Sequence, residues 1–164
     1  MDTLAEIDGR LYEAMTIARA DDFVPPFKGV PFPCLIWDHD GRFSNAERFL
    51  VAGALLDAGC RYAVCGGQHC STWHDVVDEE WVARHVDESD EVQEAAHVMT
   101  TWHTGESPDE VAFFFVLNTN FDDHEFTRYL VLHVGAGPTT EELDAAVRKY
   151  ALNESALERS DDAS

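Results

Sequence analysis

The sequence predicts an α/β fold in which a mostly parallel sheet is covered by helices. Short apolar runs, Cys34–Trp37, Arg61–Cys65, Ala95–Trp102 and Thr127–Val134, alternate with stretches of helical period. Helix-start signals follow three of these runs closely: Ser44-x-x-Glu47, Ser107-Pro-x-Glu110 and Thr139-x-x-Glu142. Glycines mark the turns after three of them, at Gly41, Gly66-Gly67 and Gly135-Ala-Gly137.

Taken in order, Thr3-Leu-Ala-Glu6 reads as a capping box, with Leu4, Ile7, Leu11, Met15 and Ala18 at helical spacing. A helix is therefore expected over residues 1–20. A connector over 21–33 carries Pro25-Pro26, Pro31 and Pro33, which exclude helix. Cys34–Trp37 is a strand, and Asp38-His39-Asp40-Gly41 turns the chain. The next helix runs from Ser44 through Phe49, Leu50 and Leu56 to a Gly59 cap. After Arg61–Cys65 and the glycine turn, Trp73, Val77 and Trp81 make one apolar stripe, opposite Asp75, Asp78 and Glu79. Residues 84–95 are acidic and weakly patterned, and Ala95–Trp102 is a third strand. Val111–Leu117 has strand propensity, but the Ser107-Pro-Asp-Glu110 start makes it a largely buried helix. Thr127–Val134 is the fourth strand, and Leu143, Ala146, Val147 and Tyr150 mark the last helix. The acidic tail, 154–164, is expected to fray. With 164 residues, 45% of them hydrophobic, the chain suits a single three-layer domain over 1–153. Its sheet would have four strands in a Rossmann-like or flavodoxin-like arrangement, plus the N-terminal helix.

In that topology the carboxyl ends of the strands share one edge, where such folds bind ligands. Asp38, His39, Gly66, Gly67, Thr100, Thr101, Trp102 and His133 gather there as ligand-binding candidates. Three chemistries suit the edge. Cys65, His69, Cys70 and His103 offer thiolate and imidazole ligands for zinc, although no second C-x2-C pair accompanies them. Cys70, at a helix start, can act as a nucleophile with His103 as base, against the pull of the acidic helix behind it. No arginine lies between Arg61 and Arg84, as a cysteine phosphatase loop would require. The third chemistry is binding alone, through the amides of the Gly66-Gly67 turn; there is no G-x-G-x-x-G. Plainer roles compete at several positions. Asp38 and Asp40 read first as turn caps, His74 and Asp78 as an ion pair one helical turn apart, and Cys34 and Cys60 as small core residues.

Charge narrows the partners. Acidic residues number 32 against 11 basic, a net charge of −21, and Lys28 and Lys149 are the only lysines. Nucleic acid and anionic membrane surfaces both require clustered Lys and Arg, so neither is an expected partner. Asp75–Glu94 and Glu106–Glu125 concentrate the acid beside the candidate edge, which disfavours anionic ligands there. The same acidity suits solubility, high salt or a basic partner protein. Without an apolar leader after Met1 or a membrane-length apolar run, and with four cysteines, a reduced, cytoplasmic protein is expected.

Met99-Thr100-Thr101-Trp102-His103, with Glu106 and the Ser107–Glu110 helix start, resembles a family of small bacterial proteins classified as a domain of unknown function. The Cys65-Gly66 turn and Trp73-His74-Asp75-x-x-Asp78 fit the same likeness, which spans roughly residues 30–137. The resemblance implies a compact α/β domain and brings no activity. The expected function is a non-catalytic ligand-binding or accessory module, taking a small molecule or a basic protein. The alternative is a small hydrolase or transferase using Cys70 and His103, with or without zinc.

Overall fold

The computed structural model describes residues 1–120 and 125–162, with side chains as far as Glu154. Asp122 and Asp123 of the second acidic stretch, and the side chains of the tail, lie outside the described residues. The strands are β1 (Asp2–Ile7), β2 (Arg10–Ile17), β3 (Phe32–Asp38), β4 (Cys60–Gly67), β5 (Met99–Trp102) and β6 (Arg128–Val134). The helices are α1 (Asn45–Ala58), α2 (Cys70–His85), α3 (Asp90–Ala95), α4 (Pro108–Leu117) and α5 (Thr140–Asp162). α5 thus continues past Glu154, where the sequence suggests fraying.

All six strands form one sheet in the order β1-β2-β6-β3-β4-β5. Only β1 is antiparallel to its neighbour. The mostly parallel sheet is as expected, but it has six strands, not four. The difference lies at the N-terminus, where the expected helix over 1–20 is a hairpin of β1 and β2. Asp8 (φ 52°) and Gly9 (φ 79°) both take the left-handed conformation at its tip, as a two-residue Asp-Gly hairpin loop favours. Leu11 and Met15 misled because a spacing of four fits the period of two as well as that of 3.6. On β2 they pack against one core, while Tyr12 and Ala14 enter the other.

β3 is buried along its whole length, so its sequence is a continuous apolar run without alternation. Its register shifts between Phe32 and Pro33, where the proline has no N–H to donate. Alternate residues feed two cores. Cys34, Ile36, Leu130 and Leu132 pack with Val51 and Leu55 of α1 and Trp73 of α2. Leu35 and Val131 pack with Val111 and Phe115 of α4 and with Leu143 and Val147 of α5. Three layers result.

Capping boxes at Ser44/Glu47 and Ser107/Glu110 start α1 and α4 as the sequence indicates. The third expected strand is shorter than predicted, because Ala95 ends α3, which Ser89 caps. Arg61 then donates to the Ala95 and His97 carbonyls at 2.7 and 3.0 Å, fixing the approach to β5. Among the described residues, no helix is long and apolar enough to cross a membrane.

From β3 the chain steps outward through α1 and α2 to β4 and β5. It then returns by α4, on the opposite face, to set β6 on the other side of β3. The strand order therefore reverses between β3 and β6.

Candidate functional site

β2, β3, β4, β5 and β6 are mutually parallel, so their carboxyl ends lie on one edge. The predicted residues do not form one pocket there. They divide into three groups.

The first group surrounds an open cleft of about 460 Å³, lined by residues 67–71 and 103–106. Its floor is set by close backbone approach. Gly67 has φ 77°, and a Cβ there would lie 2.3 Å from the Asp38 carbonyl oxygen. At Gly66 a Cβ would lie 2.7 Å from the Trp37 ring. These two glycines serve packing and turn geometry. Gln68 N donates to the Asp38 carbonyl at 2.8 Å, and His69 follows in the left-handed region at φ 53°. α2 starts at Cys70 with no acidic residue in its first turn and no side-chain cap.

His103, 7% exposed, forms the opposite wall. The Glu106 carboxylate lies 2.7 Å from Nδ1, and the Thr101 hydroxyl 3.0 Å from Nε2. A carboxylate only accepts, so Nδ1–H donates to Glu106, and Nε2 accepts from Thr101. Both ring nitrogens are hydrogen-bonded, and the Nε2 lone pair faces the Thr101 hydroxyl.

Cys70 meets the Thr104 hydroxyl at 3.5 Å. Cys65 is fully buried in the core beneath α1 and α2. Desolvation, then Cys70, Cys60 and Asp78, push its thiol well above the ordinary value. Among the described residues, no three or more of His, Cys, Asp and Glu are grouped to hold a metal ion. Cys65, His69, Cys70 and His103 do not assemble as a zinc set.

All four cysteines are free and buried. Burial raises the Cys34 thiol strongly and the Cys60 thiol to about 12. A short pulse of iodoacetamide at neutral pH is therefore expected to alkylate Cys70, which borders the cleft, ahead of Cys34, Cys60 and Cys65. Peptide mapping checks this; equal labelling of all four would contradict the packing.

The second group sits at the β3/β6 reversal. His133, 1% exposed, places Nε2 at 2.8 Å from Asp144 Oδ1 of α5 and Nδ1 at 2.9 Å from His39 Nε2. Thr139 Oγ1 lies 3.1 Å from His39 Nδ1, and Thr140 Oγ1 3.4 Å from its Nε2. Asp144 fixes every tautomer. His133 Nε2–H donates to the carboxylate, His39 Nε2–H donates to His133 Nδ1, and His39 Nδ1 accepts from Thr139. Asp38 belongs to the turn beside it and is wholly buried. Its carboxylate accepts from Gly41 N, Asp40 N and Trp73 Nε1 at 2.8, 3.3 and 2.9 Å.

The third group faces outward along α2. Trp102, 51% exposed, meets His74 edge-on at 4.5 Å. Thr100 donates to Asp78 at 2.7 Å, and His74 pairs with Asp78 at 3.4 Å. None of these residues lines the cleft.

Sequence reasoning did not anticipate Thr139, Thr140, Asp144 or the Trp73–Asp38 bond. Thr139 carried a signal, but one that read as a helix cap. No local pattern links Asp144 to His39.

No curated protein and no solved structure matches the chain. A family model does, over residues 14–150, from within β2 to well into α5, a wider span than the resemblance at residues 30–137. Its description is Domain of unknown function (DUF7684), and the chain belongs to that family.

Proposed function

We propose that the domain binds a small polar ligand in the cleft between the β4–α2 turn and the β5–α4 loop, as a binding or accessory module. The cleft itself carries this reading. Its volume, about 460 Å³, falls in the range of small-ligand sites. It also lies at the carboxyl edge, where Rossmann-like and flavodoxin-like sheets hold ligands. The uncapped first turn of α2 offers amide dipoles to a carbonyl, carboxylate or hydroxyl oxygen. Ser71, Thr104 and Glu106 supply further polar contacts. The acid of α2 and the β5–α4 region selects against a net negative ligand, so a neutral or zwitterionic molecule fits best. Chemistry through Cys70 and His103 has less support, because Cys70 bonds to Thr104 and His103 to Thr101 and Glu106, with no hydrogen bond between the two.

Titration of the ¹⁵N-labelled protein with glycine, urea, acetate and ammonium tests the reading. Saturable shifts are expected at the amides of 67–71 and 103–106 together, stronger for glycine or urea than for acetate. No saturable shift with any probe, or shifts confined to other surfaces, would overturn it.

A further inference from the structure

The strand order reverses between β3 and β6, and open α/β sheets bind their ligands at such a reversal. The cleft at 67–71 and 103–106 lies elsewhere on the edge, beyond β4. At the reversal stands the chain Asp144–His133–His39–Thr139, assembled from the ends of β3 and β6 and the start of α5. Its inner member, His133, is buried, whereas His39 and Thr139 are half-buried. A hydroxyl, a base and the pair that orients the base are thus joined by consecutive hydrogen bonds. A Cβ at Gly137 would lie 2.9 Å from His39 Nδ1, so glycine there keeps that nitrogen clear.

We propose that Thr139 is a nucleophile for acyl transfer, with His39 as its general base, and that this site hydrolyses small uncharged esters. Asp144 accepts from His133, and His133 Nδ1 accepts from His39, so the His39 proton is held on Nε2. The Nδ1 lone pair then faces the Thr139 hydroxyl at 3.1 Å, which donates to a base able to take its proton. The resulting imidazolium keeps its Nε2–H on His133, which the Asp144 carboxylate backs. Desolvation and then His133 hold His39 below its ordinary pKa, against Asp38, Asp40 and Asp144, so the ring starts neutral. His133 and Asp144 are positioning residues.

Thr139 also stands at the start of α5, where its carbonyl accepts from Leu143 N at 2.9 Å. Its hydroxyl is engaged by His39, and among the described residues no side chain caps the Glu141 or Glu142 amide. Those first-turn amides are the donors that a cap oxygen ordinarily meets. A carbonyl attacked by Thr139 therefore has oxyanion donors beside it. Asp40, Glu141 and Glu142 make the surroundings negative, which disfavours anionic acyl groups. In the reaction Thr139 Oγ1 bonds to the carbonyl carbon as its proton passes to His39 Nδ1. The carbon–oxygen bond to the leaving alcohol breaks, and the alcohol takes that proton. Water, deprotonated by His39, then splits the threonyl ester and restores the hydroxyl.

Hydrolysis of p-nitrophenyl acetate by the native chain tests this. Turnover should exceed that of free imidazole at the same concentration, and peptide mapping should find acetyl on Thr139. Thr139→Val and His39→Gln should each lower the rate about tenfold or more, while Thr139→Ser retains it. Asp144→Asn can donate to His133 Nε2, which moves the His133 proton to Nδ1 and, in turn, the His39 proton to Nδ1. Imidazole ¹⁵N shifts should show that exchange of tautomer together with loss of hydrolysis; a merely structural Asp144 would not move the proton. Turnover no faster than imidazole, or hydrolysis that survives Thr139→Val, overturns the proposal. So does acetyl confined to lysines or the amino terminus, or an unchanged His39 tautomer in Asp144→Asn. The glycine and urea shifts at 67–71 and 103–106 are read separately, so the ligand cleft and the acyl-transfer site fail independently.

Discussion

Replacing Asp38 with alanine is expected to lower the unfolding free energy by about 3–5 kcal/mol, although it removes one acid from a chain of net charge −21. Whole-molecule electrostatics points the other way, since losing a negative charge relieves repulsion. The local geometry decides. The carboxylate is wholly buried and accepts from Gly41 N, Asp40 N and the Trp73 indole. Trp73 is itself fully buried, beside the Phe43 ring and the Arg48 guanidinium. Without Asp38 its N–H has no acceptor and no route to water, and the β3 turn loses its cap. Asp38→Asn keeps one acceptor oxygen but turns an NH₂ toward another donor, so it should cost about half as much. Urea unfolding followed by tryptophan fluorescence gives both values. A loss under about 1 kcal/mol for the alanine variant would mean that Asp38 does not hold the turn.

The sequence is informative where local signals agree. Ser44, Glu47, Ser107 and Glu110 fix their helix starts through contacts three residues apart, and all of them form. The capping reading of Asp38 likewise concerns its own turn, and the turn amides do bind it. The N-terminal hairpin was misread because two local signals competed. Thr3-x-x-Glu6 suggests a helix, Asp8-Gly9 suggests a hairpin, and Leu11 with Met15 fits both periods. Pairing settles the contest, since Tyr12 stacks on Tyr129 at 4.4 Å in a strand far along the chain.

The site shows the same division. That strand ends carry the polar residues follows from parallel pairing, which local alternation implies. How they group depends on strand order, which no local pattern encodes. Because β6 inserts beside β3, His133 joins His39 and not His103. Because side chains alternate along β5, Thr100 and Trp102 face α2, while Thr101 reaches His103. His103 attracted a catalytic reading as a histidine after a strand. Glu106 and Thr101 hold its ring through both nitrogens.

Gly67→Ala should be far more damaging than Gly9→Ala, although both glycines have nearly the same backbone angle, φ 77° and 79°. The left-handed conformation costs a non-glycine residue roughly 1–2 kcal/mol, and that term is common to both. Gly9 has nothing within 4 Å of a built Cβ, so its variant should lose little more than this. At Gly67 the Cβ would lie 2.3 Å from Asp38 O and 3.1 Å from Asp38 N. Those atoms belong to β3, paired with β4 at that residue and buried on both faces. The backbone can yield only by breaking register or losing the Gln68 N bond to Asp38 O. The expected loss is about 3 kcal/mol or more beyond the shared conformational cost. The strain would also move residues 67–71, one wall of the cleft, so the glycine and urea shifts there should weaken or vanish. Equal unfolding free energies for the two variants would show that β3 and the β4–α2 turn do not approach this closely. The cleft wall would then lack the support from β3 on which the ligand reading depends.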